Sequence, residues 1–429
     1  MLSTSVIAKD KWYISDPNGF GYYLTTEVKS DSIKGYTRKN ALKNIVGWAK
    51  FTLVKFTTSI KHPEIINIKG KIDGNKISGK IQNLFSERSF TGEINQDSLT
   101  LKVKEKNDTF LHLTGHKVTD TLPKRDYVNI YKHIFELTEK NLYKQNFIKT
   151  KEWVKFKQQL LKLASKIKDD LEMQIAFYAL VREFPFSHYQ LNPNLTKPSK
   201  KTKSNNFAKL TEINTNTVVL DIDSFTGTKQ QMVDLLEQVK RKKYKNLIID
   251  LRDNYGGNFL SAYPLGQFLI EEPFIAGVFP NQKWYRQHNR IPTLEEYSQF
   301  SEFSDGTMEQ WLSKTTKNFG VYYKVYPSQN HFNGQVYVLT NRSTASTCEP
   351  LVYALKKEKI ATIIGENTSG AMLSMKSFKI GNDISLGIPI SDYITSSGER
   401  IDKVGVKPHI KVDSNDALDK ALEVIAAGT

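Results

Sequence analysis

A chain of 429 residues with 39% hydrophobic and 25% charged residues is too long for one core and too apolar to be disordered, so two or three packed units are expected. Lys and Arg exceed Asp and Glu by 61 to 45, a net charge of +16 that raises a polyanionic partner, yet the dense clusters KPSKKTK (197–203) and KRKKYK (240–245) carry no aromatics at base-stacking intervals and read as solvated surface, not as a nucleic-acid site. Cys348 is the only cysteine, which excludes an intramolecular disulfide and a Cys-based zinc site; no run of about 18 apolar residues predicts a membrane span, and MLSTSVIAKDKW meets charge too early for a signal segment, though a cleaved one preceding the chain is compatible with it.

From about residue 10 to 118 the pattern is period-two alternation broken by turns. Ile66, Ile68 and Ile72 precede Asp73-Gly74, Ile77 and Ile81 follow it, and Leu99, Leu101 and Val103 repeat the signal. An antiparallel β domain over 1–120 is predicted, with nothing catalytic in it. The period then turns helical for 121–190: Tyr127, Ile130, Ile134 and Leu137 mark one face, Trp153, Phe156, Leu160, Leu163 and Ile167 another, and LEMQIAFYALVREF supplies a third helix. Ser187-His188 follow Pro185, where a loop should start. Residues 191–206 read as a polar linker. Region 207–429 alternates β and α signals: NTVVLDI, NLIIDL, GQVYVLT and IATIIG as buried strands, TKQQMVDLLEQVKRK and EPLVYALKKEK as helices between them, and DALDKALEVIAA as the closing helix. The fold class is thus α+β and multidomain, with an α/β core preceded by a helical segment and a β domain.

Two strand-to-helix junctions in the core carry chemistry. Asp250 to Gly257 follows NLII, and Thr344 to Glu349 follows VYVLT. Helix N-termini at such junctions offer free N–H groups to a developing anion, and paired glycines let a backbone N–H approach a ligand. Ser346 has two readings. With Glu349 three residues on, it fits a helix capping box; at an exposed turn, the same hydroxyl fits a nucleophile.

Four ordered motifs resemble the S41 serine peptidases, which include the C-terminal processing peptidases, the tricorn core and the interphotoreceptor retinoid-binding proteins. LIIDLRDNYGG looks like the family's Asp-x-Arg-x-Asn-x-Gly-Gly, TASTCE like its Thr-x-Ser-x-x-Glu, IIGENTSGA like its Gly-Glu-x-Thr-x-Gly, and GERIDKVGVKPHI like its late Gly-Val-x-Pro segment. The resemblance implies a crotonase/ClpP-like core and a serine endopeptidase acting on peptides or unfolded proteins, with Ser346 as nucleophile. Where processing peptidases have a dyad lysine this chain has Ala371, with Lys376 the nearest substitute, so the resemblance favours the tricorn-like arrangement: His188 as general base, Ser187 beside it, and a late carboxylate, Asp402 or else Glu399, in support. Thr347 with Gly256 or Gly257 would form the oxyanion hole, and Cys348 would pack rather than react. Residues 189–215 are too few for the PDZ domain many processing peptidases carry. The resemblance further implies no cofactor and an extracytoplasmic location. The alternative it leaves is a non-catalytic ligand- or peptide-binding member of the same fold.

Overall fold

The computed structural model describes residues 8–15, 20–46, 64–83, 86–104, 110–118, 125–193, 207–381 and 383–428. The alternating N-terminal region forms a closed antiparallel barrel: β1 (Ala8–Ser15), β2 (Gly21–Lys29), β3 (Ser32–Tyr36), β4 (Asn67–Asp73), β5 (Lys76–Gln82), β6 (Glu87–Ile94), β7 (Ser98–Lys104) and β8 (Phe110–Lys117), with β1 returning to pair with β8. The Asp73-Gly74 signal is a two-residue hairpin in which Asp73 faces Lys76 and Gly74 takes φ 59°. Gly70 and Gly79 face each other across β4 and β5, where a Cβ would come within 2.1 and 2.2 Å of backbone carbonyl oxygens of the opposite strand, so these tightly coiled strands admit only glycine there. Trp12, Leu24, Ile33, Ile68, Phe90 and Leu101 are buried, and the Trp12 indole N–H donates to Thr26 Oγ1 at 2.8 Å.

The helical segment comprises Tyr127–Asn141, Lys151–Ala164 and Asp170–Val181. On the first helix the buried stripe is Tyr127, Tyr131, Ile134, Phe135 and Thr138, rotated from the expected one: Ile130 and Leu137 are only partly buried, because the larger rings of Tyr131 and Phe135 take the core side. On the second helix Trp153, Phe156 and Leu160 face inward as expected, and Trp153 meets Phe135 edge-on with ring centroids 5.9 Å apart. One hydrophobic cluster runs from the barrel through these helices, so the two share a core. Their junction is also hydrogen-bonded, the Gly21 and Tyr23 N–H groups of β2 donating to Asp170 and Asp169 at 2.9 and 3.2 Å.

After Ser187-His188 the chain does not enter a linker at once. Gln190–Pro193 is a strand, β9, because its backbone finds an edge to pair with; residues 194–206, and the expected boundary near residue 120, lie outside the described residues. The C-terminal region holds a six-stranded sheet in the order β10 (Ala208–Asn214), β11 (Thr217–Ile222), β12 (Asn246–Asp250), β16 (Gln335–Thr340), β17 (Ala361–Gly365), β20 (Ile410–Lys411), parallel from β11 onward. Between β12 and β16 are β13 (Phe274–Pro280), β14 (Ser301–Phe303) and β15 (Gly320–Val325), a small sheet of their own. β18 (Ser374–Lys379) and β19 (Ile384–Ser391) form a third sheet, in which β19 pairs with β9. That pairing draws the end of the helical segment onto the α/β region. β12 and β16 are adjacent and parallel, so the loops after their C-terminal ends emerge on one edge of the sheet. Among the described residues no helix is long and apolar enough to cross a membrane.

Candidate active site

The two readings of Ser346 separate in the structure. The helix that follows is Cys348–Lys357; its N-cap is Thr347, and no side chain caps it. The same chain uses genuine capping boxes elsewhere, at Thr228 with Gln231 and at Thr307 with Gln310. Ser346 instead takes φ 55°, a left-handed conformation costly for a residue with a Cβ. Its N–H is held by the Ala371 carbonyl at 3.0 Å and by Glu349 Oε2 at 3.3 Å, and its carbonyl accepts the Glu349 N–H at 2.8 Å. The hydroxyl is thereby turned outward, to His188 Nε2 at 3.3 Å.

His188 also sits at positive φ, 60°, which aims its ring away from the loop that carries it. On the far side of the ring Nδ1 lies 2.7 Å from Ser187 Oγ, and Ser187 Oγ donates to Asp402 Oδ1 at 2.5 Å. Asp402 is fixed by the Ser187 and Met372 N–H groups, each at 3.0 Å. Burial pushes the Asp402 carboxyl up, and these donors with the Ser187 hydroxyl pull it back. Burial pushes the His188 imidazole down, to about 4, so the ring is neutral at pH 7.

The glycine pair divides its tasks. Gly256 N–H is taken by Asn254 Oδ1 at 2.8 Å, so it is not available to a ligand; what matters at Gly256 is the missing side chain, since a Cβ there would stand 2.6 Å from Ser346 Cβ. Among the described residues the N–H groups of Gly257 and Thr347 have no acceptor, and both residues line one cavity of about 370 Å³ together with Ser346 and His188. Its remaining wall is mostly apolar and aromatic, including Phe259, Phe279, Trp311, Tyr323, Leu351 and Met372, with Gln190 and Ser374 as polar members. Lys376 is exposed, its Nζ 5.5 Å from the Phe378 ring centroid, and does not line this cavity. Glu399 accepts from the Tyr353 hydroxyl at 2.6 Å and makes no bond to Ser187 or His188. Cys348 is buried, its thiol pushed up by burial, with Sγ toward the Asn254 carbonyl at 3.5 Å.

Residues 216–412, which contain all of this constellation except Ser187 and His188, match the sequence model of peptidase family S41. Over that stretch, a little under half of its length, the chain resembles that family. The carboxy-terminal processing protease CtpA of Bacillus subtilis (strain 168) is 24% identical over 200 residues, covering 46% of this chain and 35% of its own length. A carboxyl-terminal-processing protease of Synechocystis sp. (strain ATCC 27184 / PCC 6803 / Kazusa) is 29% identical over 179 residues, 42% of this chain and 34% of its own. The chain thus spans about a third of the length of these relatives. Among solved structures, a lipoprotein from Streptococcus agalactiae aligns over 72% of this chain and 99% of its own at 14% identity and a TM-score of 0.47.

Two residues of the S41 motifs have roles that the sequence alone did not reveal. Glu349 is fully buried, and besides the Ser346 N–H it accepts from Thr368 Oγ1, Gly370 N and Ala371 N at 2.6, 2.7 and 2.8 Å, so it binds the third motif to the nucleophile turn. Burial pushes its carboxyl up and these four donors pull it back. Asn254, equally buried, donates to the Ile222 carbonyl at 2.8 Å, while its own carbonyl takes the Ala345 N–H at 3.0 Å, joining the first motif to the second. Only their buried partners distinguish these side chains from ordinary turn residues, and a lone sequence carries no signal of that burial.

The loop bearing Asp402 is secured by a buried ion pair. Arg400 donates to Asp392 through Nε at 3.1 Å and Nη2 at 2.6 Å, and the Tyr285 hydroxyl donates to the same fully buried carboxylate. Arg400→Met would leave Asp392 without its counter-charge, and a stability loss of about 3–5 kcal/mol is expected. The measurement is a lowered denaturant midpoint; a midpoint equal to the parent's would show that Asp392 does not depend on Arg400.

Proposed function

We propose that this chain is a serine endopeptidase that hydrolyses peptide bonds in peptides or unfolded proteins, on a core of crotonase/ClpP-like type. The observation that carries the proposal is the unbroken series Asp402, Ser187, His188, Ser346, each within hydrogen-bond reach of the next and ending at an apolar cavity. A ligand carrier would need the cavity but not the relay behind it.

In this reading His188 carries its proton on Nδ1, donating to Ser187 Oγ, which donates to Asp402; Nε2 is then the free lone pair facing Ser346. Nε2 takes the hydroxyl proton as Oγ attacks the scissile carbonyl. The oxyanion forms between the Gly257 and Thr347 N–H groups, each such donor worth roughly 3–4 kcal/mol in a comparable hydrolase. The imidazolium returns the proton to the leaving amine, and water repeats the sequence on the acyl-enzyme. The chemistry draws on side chains and backbone alone and calls for no cofactor. The extracytoplasmic setting implied by the family resemblance belongs to the same proposal.

The cavity wall predicts that the side chain on the acyl side of the cut is large and apolar, since a charged one would be stripped of water there without a partner. The test combines a fluorophosphonate probe with peptides differing only at that position. The adduct is expected on Ser346, and Leu or Phe substrates are expected to be cleaved in preference to Asp. A label elsewhere, or none with intact folded protein, refutes the assignment.

The pH dependence follows from burial. Because the His188 imidazole is held at about 4, it stays neutral down to well below the ordinary histidine value near 6.5, so kcat/KM should be flat from pH 6.5 to 8 and fall only on further acidification. An unburied histidine would instead give a rate rising between about pH 6 and 8. An acid midpoint at or above 6.5 in the free enzyme would contradict the buried base.

A further inference from the structure

A second cavity, of about 820 Å³, lies where the barrel meets the start of the helix Asp170–Val181. Its barrel wall is the outward side of β1 to β3: Lys11, Tyr13 and Tyr23 alternate with the buried Trp12, Ile14 and Leu24. Half of its lining is cationic, namely Lys9, Lys11, Arg38, Lys39, Arg125 and Lys168. The one acid, Asp169, is 3% exposed and has both oxygens engaged, by Glu172 N at 2.9 Å and Tyr23 N at 3.2 Å. Three of the cations are matched within the fold: Arg38 forks onto Glu172 at 2.6 and 2.7 Å, Arg125 lies 3.2 Å from Asp170, and Lys9 lies 3.3 Å from Glu27. Lys11, Lys39 and Lys168 are exposed and form no direct ion pair among the described residues, Lys39 acting on Glu27 only at longer range.

The rings decide which anion fits. Lys11 Nζ stands 4.5 Å from the centroid of the Tyr23 ring, and Lys39 Nζ 5.1 Å from that of Tyr36. An ammonium group thus already covers a face of Tyr23 and of Tyr36, which disfavours stacking of nucleobases on these two rings and leaves fixed positive points suited to carboxylates. We propose that this groove is an exosite for an acidic segment of the peptide substrate. The proposal rests on the peptidase reading for the nature of the ligand. The helix that starts at the groove has 12 residues and leads toward Ser187-His188, so it spans about 18 Å, a distance an extended peptide covers in about six residues. The acidic segment would therefore lie several residues or more from the scissile bond, held while the cavity at Ser346 takes an apolar side chain.

The experiment uses the full chain as Ser346→Ala, so that binding is read without turnover, and a fluorescein-labelled peptide with six glutamates separated by ten residues from a single Leu-Ala bond. Anisotropy is expected to show binding that weakens with salt and that falls at least about tenfold when the glutamates become glutamines. The variant K11E/K39E/K168E should lose binding by a similar factor, while K240E/R241E/K242E, an equal charge change on the helix Lys229–Lys242, should stay within about twofold. Should the reversal variant fail to fold by circular dichroism, K11Q/K39Q/K168Q replaces it, with the same ordering expected. Equal losses in the two charge variants would mean that net charge, not this groove, binds the peptide. Displacement of the peptide by oligothymidylate of the same length at equal concentration would overturn the choice of ligand in favour of nucleic acid. Groove-dependent binding in a wild-type chain that cleaves no peptide would uphold the exosite and sink the peptidase reading, so the two fail separately.

Discussion

Ser346→Ala is expected to lower peptide hydrolysis by roughly 10⁶-fold while leaving the melting temperature nearly unchanged. The two halves of this result come from different features of one residue. The hydroxyl makes a 3.3 Å contact to His188 and caps nothing on its own helix, so its removal takes away the attacking atom without unsatisfying a helix N–H. A capping serine would behave in the opposite way, its loss costing about 0.5–2 kcal/mol with activity largely spared. The left-handed backbone at Ser346 is maintained by Ala371, Glu349 and the absence of a Cβ on Gly256, none of which involves Oγ. An S346A protein that melts earlier yet still cleaves would end the nucleophile assignment.

His188→Ala is expected to be about as damaging as Ser346→Ala, and the double variant no worse than either, because nucleophile and base act as one unit and the residual rate comes from binding and the oxyanion donors. Asp402→Asn should lower kcat by roughly 10²–10⁴ while leaving KM largely unchanged, since the carboxylate is reached only through Ser187 and orients the ring instead of exchanging the proton. Lys376→Ala should stay within about twofold of the parent, its exposed ammonium being placed over Phe378. Single-turnover rates on one peptide separate these cases. Full activity in His188→Ala, or loss in Lys376→Ala equal to that in Ser346→Ala, would require a lysine base.

Much of this arrangement was legible because each part leaves a local trace. The barrel strands announce themselves by period two and the Asp73-Gly74 turn, and the buried parallel strands by short apolar runs between amphipathic helices. That Ser346 and His188 would meet was legible through motif order alone; nothing in their immediate neighbours separates a nucleophile from a cap or a base from a surface histidine. What escaped is three-dimensional. That Gly257 and not Gly256 has a free N–H depends on where the Asn254 side chain folds back, and that Glu349 binds Thr368 and Gly370 depends on a segment about twenty residues away reaching it. The stripe on Tyr127–Asn141 was displaced because periodicity weighs Ile130 and Tyr131 alike, whereas packing favours the ring. The opening of the expected linker as β9 follows from a free edge on β19, a partner two hundred residues downstream that no window of sequence contains.

The contact between Ser187 and Asp402 joins positions 215 apart in the chain. During synthesis at about 5–20 residues per second, the histidine loop would wait on the order of 10–40 s after translation before its carboxylate exists. Glu349 waits likewise for Thr368 and Gly370 before the serine turn can be fixed. On the proposed peptidase reading, a growing polypeptide would therefore lack the complete relay until Asp402 has been made.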